Sequence, residues 1–228
     1  MPASEATIVD AVTPRAVIFD LWGTLVPFDF ERGQHMFALF AKALGVPAEE
    51  FEREWRRDYH QRLVSDLRAS FENVCGVLGV SRAGAVDECL ELRVEGHREM
   101  FVPREDAVVT LRELRTRGYS TGLVTNCSSE IPKLLGESPL AGLFDVEVFS
   151  CSAGLRKPDR AIYELAATRL SVDPQLCLYV GDGDDHELDG ASNFGMKAVL
   201  LRPGDTRPPE NWKGPEITRL AQVLTLVP

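Results

Sequence analysis

Five short apolar runs, most of them ending on polar residues, constrain this chain more than any other feature: "AVIFD" (16–20), "YSTGLVTN" (119–126), "FDVEVFS" (144–150), "LCLYVGD" (176–182) and "KAVLL" (197–201). Their lengths suit strands, and several lack the apolar–polar alternation of a strand with one wet face, so both faces must be covered. Helical patterns lie between most of them, which makes the covering layers helices and the sheet parallel. The expectation is an α/β fold with a Rossmann-like, doubly wound core. In such sheets ligands gather beyond the carboxyl ends of the strands, where loops converge and helix N-termini aim their amides into one crevice.

Between the first two runs the pattern stops for nearly eighty residues. Met36, Phe37, Phe40 and Leu44 recur at helical spacing before Gly45, and Phe51, Trp55 and Tyr59 follow at intervals of four. Two further helical stretches, roughly 70–79 and 84–100, complete the segment. An insertion of this size is too large for a loop and needs a core of its own. The reading is a helical domain at 27–103 inserted into a core made of 1–26 and 104–228. Its aromatic residues read first as that inner core, and "RPGDTRPPENWKGPE" (202–216) reads as a surface loop before a last short helix.

Composition narrows the partners. An apolar fraction of 44% is ample for burial, and 25 basic against 35 acidic residues give a net charge of −10 without a basic run. Nucleic-acid binding, which needs clustered Lys and Arg, is therefore not expected. The first residues, "MPASEATIVDAVTPR", lack a basic start followed by an apolar stretch, and no window approaches the ~18 apolar residues of a membrane span. Five cysteines, an odd number without CxxC or metal-ligand spacing, read as reduced structural thiols. The expectation is a cytoplasmic protein with a small diffusible partner and no membrane association; the sequence carries no reading of oligomeric state.

At the carboxyl ends of the runs stand Asp20, then Thr125 and Asn126, then Asp182 followed by Asp184, Asp185 and Glu187. Lys157 lies in the loop "GLRKPD" after the third run, ahead of a helix for which Pro158 is the candidate first residue. Carboxylates gathered this closely need a counter-charge, and a hard divalent cation with oxygen ligands, Mg²⁺, is the natural one. A phosphate dianion can then enter, with Lys157 and the Thr125 hydroxyl facing its oxygens and Asp20 placed to attack phosphorus.

With these four segments in this order, "AVIFDLWGTLV", "GLVTN", "GLRKPDRAIYELA" and "YVGDGDDHELDGASNFGMKAV", the chain resembles the haloacid dehalogenase superfamily, in the branch with a helical cap inserted after the first motif. The resemblance implies a Mg²⁺-dependent hydrolase acting on a small phosphorylated substrate. By it Asp20 is nucleophile and metal ligand, Thr125 binds the phosphoryl group with Asn126 beside it, and Lys157 stabilises the nucleophile and the transferring charge. Asp182 is the other protein metal ligand, Glu187 holds the second acidic position of the last motif, and Trp22 gives its backbone carbonyl to the metal.

Trp22 is the departure. Family phosphatases usually carry at this position an aspartate that protonates the leaving alcohol and later activates water, and an indole N–H cannot shuttle a proton. Four readings remain open at this point. The enzyme is a slowed phosphatase, with His35, Tyr59, His60 or His186 as candidate replacement donors. It is a haloacid dehalogenase, whose members resemble it in having an aromatic residue there and whose halide leaving group needs no proton. It cleaves phosphonates, which would require a cap lysine such as Lys42. Or it is a silent binding module in which Trp22 fills the substrate's space. Arg32 and His35 of the first cap helix are weighed as pocket residues against a plain solvated face, and Trp22 itself as simple packing between cap and core. Retention of Asp20, Thr125, Lys157, Asp182 and Glu187 together favours catalysis.

Overall fold

A computed structural model describes residues 14–204 and 212–227. Most of the N-terminal stretch and the middle of the 202–216 segment lie outside them. After β1 (Ala16–Phe19) come five helices: α1 (Phe30–Leu44), α2 (Ala48–Arg57), α3 (Tyr59–Arg62), α4 (Leu67–Val77) and α5 (Ala85–Met100). Then follow α6 (Ala107–Thr116), β2 (Ser120–Thr125), α7 (Ile131–Gly136), β3 (Val146–Phe149), α8 (Ser150–Ala153) and α9 (Arg160–Leu170). The chain closes with β4 (Cys177–Gly181), α10 (Glu187–Phe194), β5 (Lys197–Leu201), β6 (Glu216–Ile217) and α11 (Val223–Leu226). No helix among the described residues is long and apolar enough to cross a membrane.

The strands form one sheet in the order β3-β2-β1-β4-β5-β6, and every pair is parallel. Neighbouring residues of a strand point to opposite faces, and both faces are dry. Val17 and Phe19 of β1 enter one apolar cluster, with Leu111 and Leu114 of α6 and Leu134 of α7, while Ala16 and Ile18 enter another with Ile162, Tyr163 and Ala166 of α9. This two-sided burial is why the runs read as unbroken apolar stretches. The α/β Rossmann-like core is as expected, with one strand more: β6 has two residues, too few to carry a pattern, and pairs with Leu200 and Leu201.

Between β1 and α6 the helices α1, α2, α4 and α5 build a third apolar cluster around Phe40, Phe51, Trp55 and Phe71. Gly45, at φ 70°, ends α1 by sending its N–H back to Ala41 and Lys42 carbonyls, the left-handed cap that glycine permits. Phe51 stacks on Trp55 at 5.5 Å and Trp55 meets Phe71 at 4.6 Å between centroids. Tyr59 does not continue that row. The backbone leaves the helix at Asp58 (φ −79°, ψ 0°), and Tyr59 opens α3. Arg62 reaches back across the break to the Trp55 carbonyl at 3.0 Å. Lys42 is exposed at the end of α1. Pro158 does not open the helix after β3 either: α9 starts at Arg160 with Asp159 as its N-cap, and the Lys157–Pro158 peptide is cis. All five cysteines are unbonded, Cys127 and Cys151 lying 3.8 Å apart.

Candidate active site

Strand order fixes where the polar residues meet. The chain runs outward from β1 through β2 to β3, then crosses back to place β4 on the other side of β1. That reversal opens a crevice beyond the carboxyl ends of β1 and β4. Phe19 is in register with Leu123 and Val180, so Asp20, the end of β2 and Asp182 emerge at one level. The Asp20 N–H donates to the Val180 carbonyl at 2.9 Å, which locks the carboxylate's backbone to the neighbouring strand.

Two glycines make room there. Gly23 has φ +77°, and a β-carbon on it would collide with the Asp182 carboxylate. A β-carbon on Gly181 would collide with Glu187. Any larger residue would push these carboxylates out of the cluster.

Lys157 sits at the centre, 4% exposed, with Nζ at 2.5 Å from Asp20 Oδ1 and 2.5 Å from Glu187 Oε2. Glu187 Oε2 also accepts from the Tyr179 hydroxyl at 2.6 Å, and its Oε1 accepts from the Gly183 N–H at 3.1 Å. Asp20, Asp182 and Glu187 each present an oxygen within 4.8 Å of the others. Burial pulls the Lys157 ammonium's pKa down, but Asp20 and Glu187 outweigh it and hold that pKa well above the ordinary value. Burial pushes Asp20 well up, Glu187 and Asp182 adding to it against Lys157, and burial with Glu187 pushes Asp182 up to about 7. Ionised together, the three carboxylates would exceed the one ammonium by two charges; the raised Asp20 and Asp182 reflect that missing counter-charge, which fits a divalent cation with oxygen ligands. Because Glu187 already spends both oxygens on Lys157, Tyr179 and Gly183, the less committed ligands are Asp20 and Asp182.

Asn126 is a clamp. Its Oδ1 accepts from the Lys157 N–H at 2.8 Å, and its Nδ2 donates to the Lys157 carbonyl at 3.2 Å and to Asp185 Oδ2 at 2.6 Å. Its amide thereby ties the lysine's backbone to the end of β2. Thr125 is fully buried, and its hydroxyl has no partner among the described residues. It does not line the cavity, whose wall at that strand end is Asn126, Cys127 and Ser128.

The cavity, about 550 Å³, lies between this sheet edge and the helices. Trp22 lines it, with its ring 5.3 Å from His97 and edge-on to Phe101 at 5.5 Å, and touches both the sheet-side and the helical apolar clusters. Tyr59 lines it too and donates to Asp185 Oδ2 at 2.8 Å. Burial and the Asp185 carboxylate push the Tyr59 phenol far above its ordinary value, which makes it a poor proton donor. His35, His60 and His186 are exposed and do not line the cavity, and Arg32 turns outward to Glu99 at 2.6 Å.

Sequence reading missed the upper wall. Arg62, Arg93 and His97 line the cavity, and His97 Nδ1 and Arg93 Nε approach Glu130 Oε1 at 2.8 and 3.0 Å. Burial, helped by Arg93, lowers His97 to about 4 against the pull of Glu130. Burial opposes ionisation of Glu130, but His97 and Arg93 hold it well below the carboxylate range. A charged residue on the inner face of an amphipathic helix was the one available signal.

A family model described as haloacid dehalogenase-like hydrolase matches residues 14–195. A phosphatase of Mycobacterium tuberculosis is 31% identical over 201 residues, covering 84% of this chain and 89% of its own. A glyceraldehyde 3-phosphate phosphatase of Methanopyrus kandleri is 34% identical over 201 residues, covering 83% and 84%. Among solved structures, a 2-haloacid dehalogenase from Pseudomonas syringae superposes with a TM-score of 0.74 at 22% identity, over 93% of this chain and 97% of its own.

Proposed function

The chain belongs to the haloacid dehalogenase-like hydrolases, and from that premise we propose that it is a Mg²⁺-dependent phosphatase of small phosphorylated metabolites, working through an aspartyl-phosphate on Asp20. The observation that carries this reading is the set of buried Asp20, Lys157 and Glu187 with half-buried Asp182 at the floor of one cavity. Asp20 and Asp182, with the Trp22 carbonyl, are the residues that would hold Mg²⁺. Bound there, the ion would offset the surplus negative charge and polarise the phosphoryl oxygens.

Asp20 is the nucleophile: its oxygen attacks phosphorus, and the alcohol oxygen leaves with the bonding pair. Lys157 holds that carboxylate in place and offsets charge on the phosphoryl group. Asn126 and Glu187 keep the lysine aimed, one through its backbone and the other through its ammonium. The chain after Thr125, at Asn126, Cys127 and Ser128 on the cavity wall, takes the phosphoryl oxygens, with the buried Thr125 behind it. Trp22 shuttles no proton, so leaving groups of low basicity are favoured. The helical segment 27–103 acts as a cap on the core, excluding water and selecting the substrate.

A dehalogenase reading is favoured by one feature, the aromatic residue at position 22. Its site would have no use for the surplus carboxylate charge described above.

The test is release of phosphate from a panel of phosphomonoesters and acyl phosphates, and of halide from 2-haloacids, each with Mg²⁺ and with EDTA. Phosphate release that needs Mg²⁺ and falls more than ~10³-fold in Asp20→Asn is the expected outcome. Halide release in EDTA would transfer the assignment to the dehalogenase.

A further inference from the structure

The lining of the cavity is electrically divided. The sheet edge supplies five carboxylates and one cation, Lys157, whereas the helices supply Arg56, Arg62 and Arg93 and no carboxylate. A phosphoryl group bound at Asp20 accounts for the first half; in the second, Arg56 is paired with Glu52 and Arg93 with Glu130, while Arg62 has Asp58 only at 3.7 Å.

Arg62 is the informative residue. Its side chain is 7% exposed, and its Nη1 donates to the Trp55 carbonyl at 3.0 Å. The guanidinium lies over the Trp55 ring, 4.0 Å from the centroid, and Asp58 Oδ2 stands 3.7 Å away, outside hydrogen-bond reach. Among the described residues, Nε and Nη2 have no hydrogen-bond partner, although Arg62 lines the cavity. An arginine buried only to brace the fold spends its donors on the fold. Here the side-on pair of donors is free, and that pair is the one that grips a carboxylate through two parallel bonds. Arg93 brings a second guanidinium within 5.7 Å of the same indole centroid. Burial, helped by the Arg93 charge, lowers Arg62 to about 10 against the pull of Asp58, Tyr59 and Glu130.

We propose that Arg62, backed by Arg93, determines specificity by receiving a carboxylate at the end of the substrate remote from the phosphoryl group, so that the preferred substrates are small phosphorylated carboxylic acids. This rests on the reading that the phosphoryl group binds at Asp20. A planar guanidinium stacked on an indole keeps its edge free for a planar partner, which favours carboxylate over a second phosphate.

The experiment compares equilibrium binding of O-phospholactate and isopropyl phosphate, which differ by a carboxylate in place of a methyl group, to the full chain with Mg²⁺. Asp20→Asn is used so that nothing turns over, and ethylene glycol bisphosphate reports on a second phosphate. Phospholactate should bind about 10- to 100-fold more tightly, the range for a charge-assisted pair. Arg62→Gln should bring the ratio close to one, and Arg62→Lys, which keeps the charge without the fork, should retain only a small part of it. A ratio near one in the Asp20→Asn parent, no binding of either compound, or a ratio that survives in folded Arg62→Gln would overturn the proposal. So would a stronger preference for the bisphosphate. If Arg62→Gln does not fold, the parent ratio and Arg62→Lys decide. Phosphate release by the unsubstituted enzyme is scored separately: selective binding without turnover would leave this inference standing and remove the phosphatase reading.

Discussion

On the sheet side of the cavity, polar groups are held by the main chain. Asp20 follows a strand whose next amide is bonded to β4, Lys157 is clamped through its own N–H and carbonyl by Asn126, and Glu187 accepts from the Gly183 N–H. On the helical side they reach in from helices or helix breaks on long side chains and meet the sheet side through Tyr59–Asp185, Arg93–Glu130 and His97–Glu130. The first arrangement fixes charges for one reaction. The second leaves room for exchange of residues without disturbing the strands, and it is the side to which the proposal above assigns substrate choice.

This contrast can be broken, most severely at Lys157. Lys157→Met leaves Asp20 and Glu187 buried without their shared cation and should cost about 3–5 kcal/mol of stability in EDTA, with Mg²⁺ recovering part of it. Denaturant midpoints with and without the ion read this directly, and a loss equal in both would mean that the ion does not share the lysine's work.

The boundary between the two sides should be sensitive to acid. Burial keeps His97 neutral to about pH 4, whereas in the unfolded chain it takes a proton below about pH 6.5. At this position the unfolded state therefore binds the proton first, and the His97 contribution to stability should fall by about 3 kcal/mol as pH drops from 6.5 to 4, opposed by Asp20 and Asp182, whose raised values make the folded state take up protons there. Glu130, depressed in the fold from an ordinary 4.5, adds its own loss only below about that pH. Unfolding midpoints of the parent and His97→Gln across the window should show the slope flatten in the variant, and an unchanged slope would place the acid sensitivity elsewhere.

Trp22→Asp sharpens the contrast, because it moves proton chemistry back to the sheet side. Turnover of an unactivated phosphomonoester should rise ~10- to 100-fold, at the low end of what a positioned acid–base supplies, while the melting temperature falls with the lost contacts to His97 and Phe101. A folded variant that is no faster would show that proton transfer was not limiting.

The smallest effect is expected at Tyr59. Tyr59→Phe removes one hydrogen bond between the sides and should cost about 1 kcal/mol, with turnover changed less than tenfold. A loss of orders of magnitude would make Tyr59 the missing proton donor and give the helices a share of the chemistry.

The sheet was legible in the sequence because strands buried on both faces cannot hide their composition, and the glycines at 23 and 181 stand where carboxylates need space. Asp20, Lys157, Asp182 and Glu187 could be read together because each follows a strand. What could not be read lives in pairs distant along the chain. Arg93 meets Glu130 at a separation of 37 residues, and neither differs locally from an ordinary surface charge; Asn126 and Lys157 were each legible as site residues, but nothing local announces the backbone clamp that joins them at a separation of 31. The break at Asp58, which turns Tyr59 and Arg62 toward the cavity, occurs in a run whose periodicity predicts one continuous helix.

Trp22 gives the molecule an optical gauge. Its indole is in contact with the apolar clusters of both sides, so any parting of helices from sheet carries the ring from hydrocarbon toward water and shifts its emission to the red. With Trp55 and Trp212 replaced by phenylalanine to remove the other two indoles of the chain, the residue standing where a proton carrier is expected would report, in real time, how far the mouth of the site has opened.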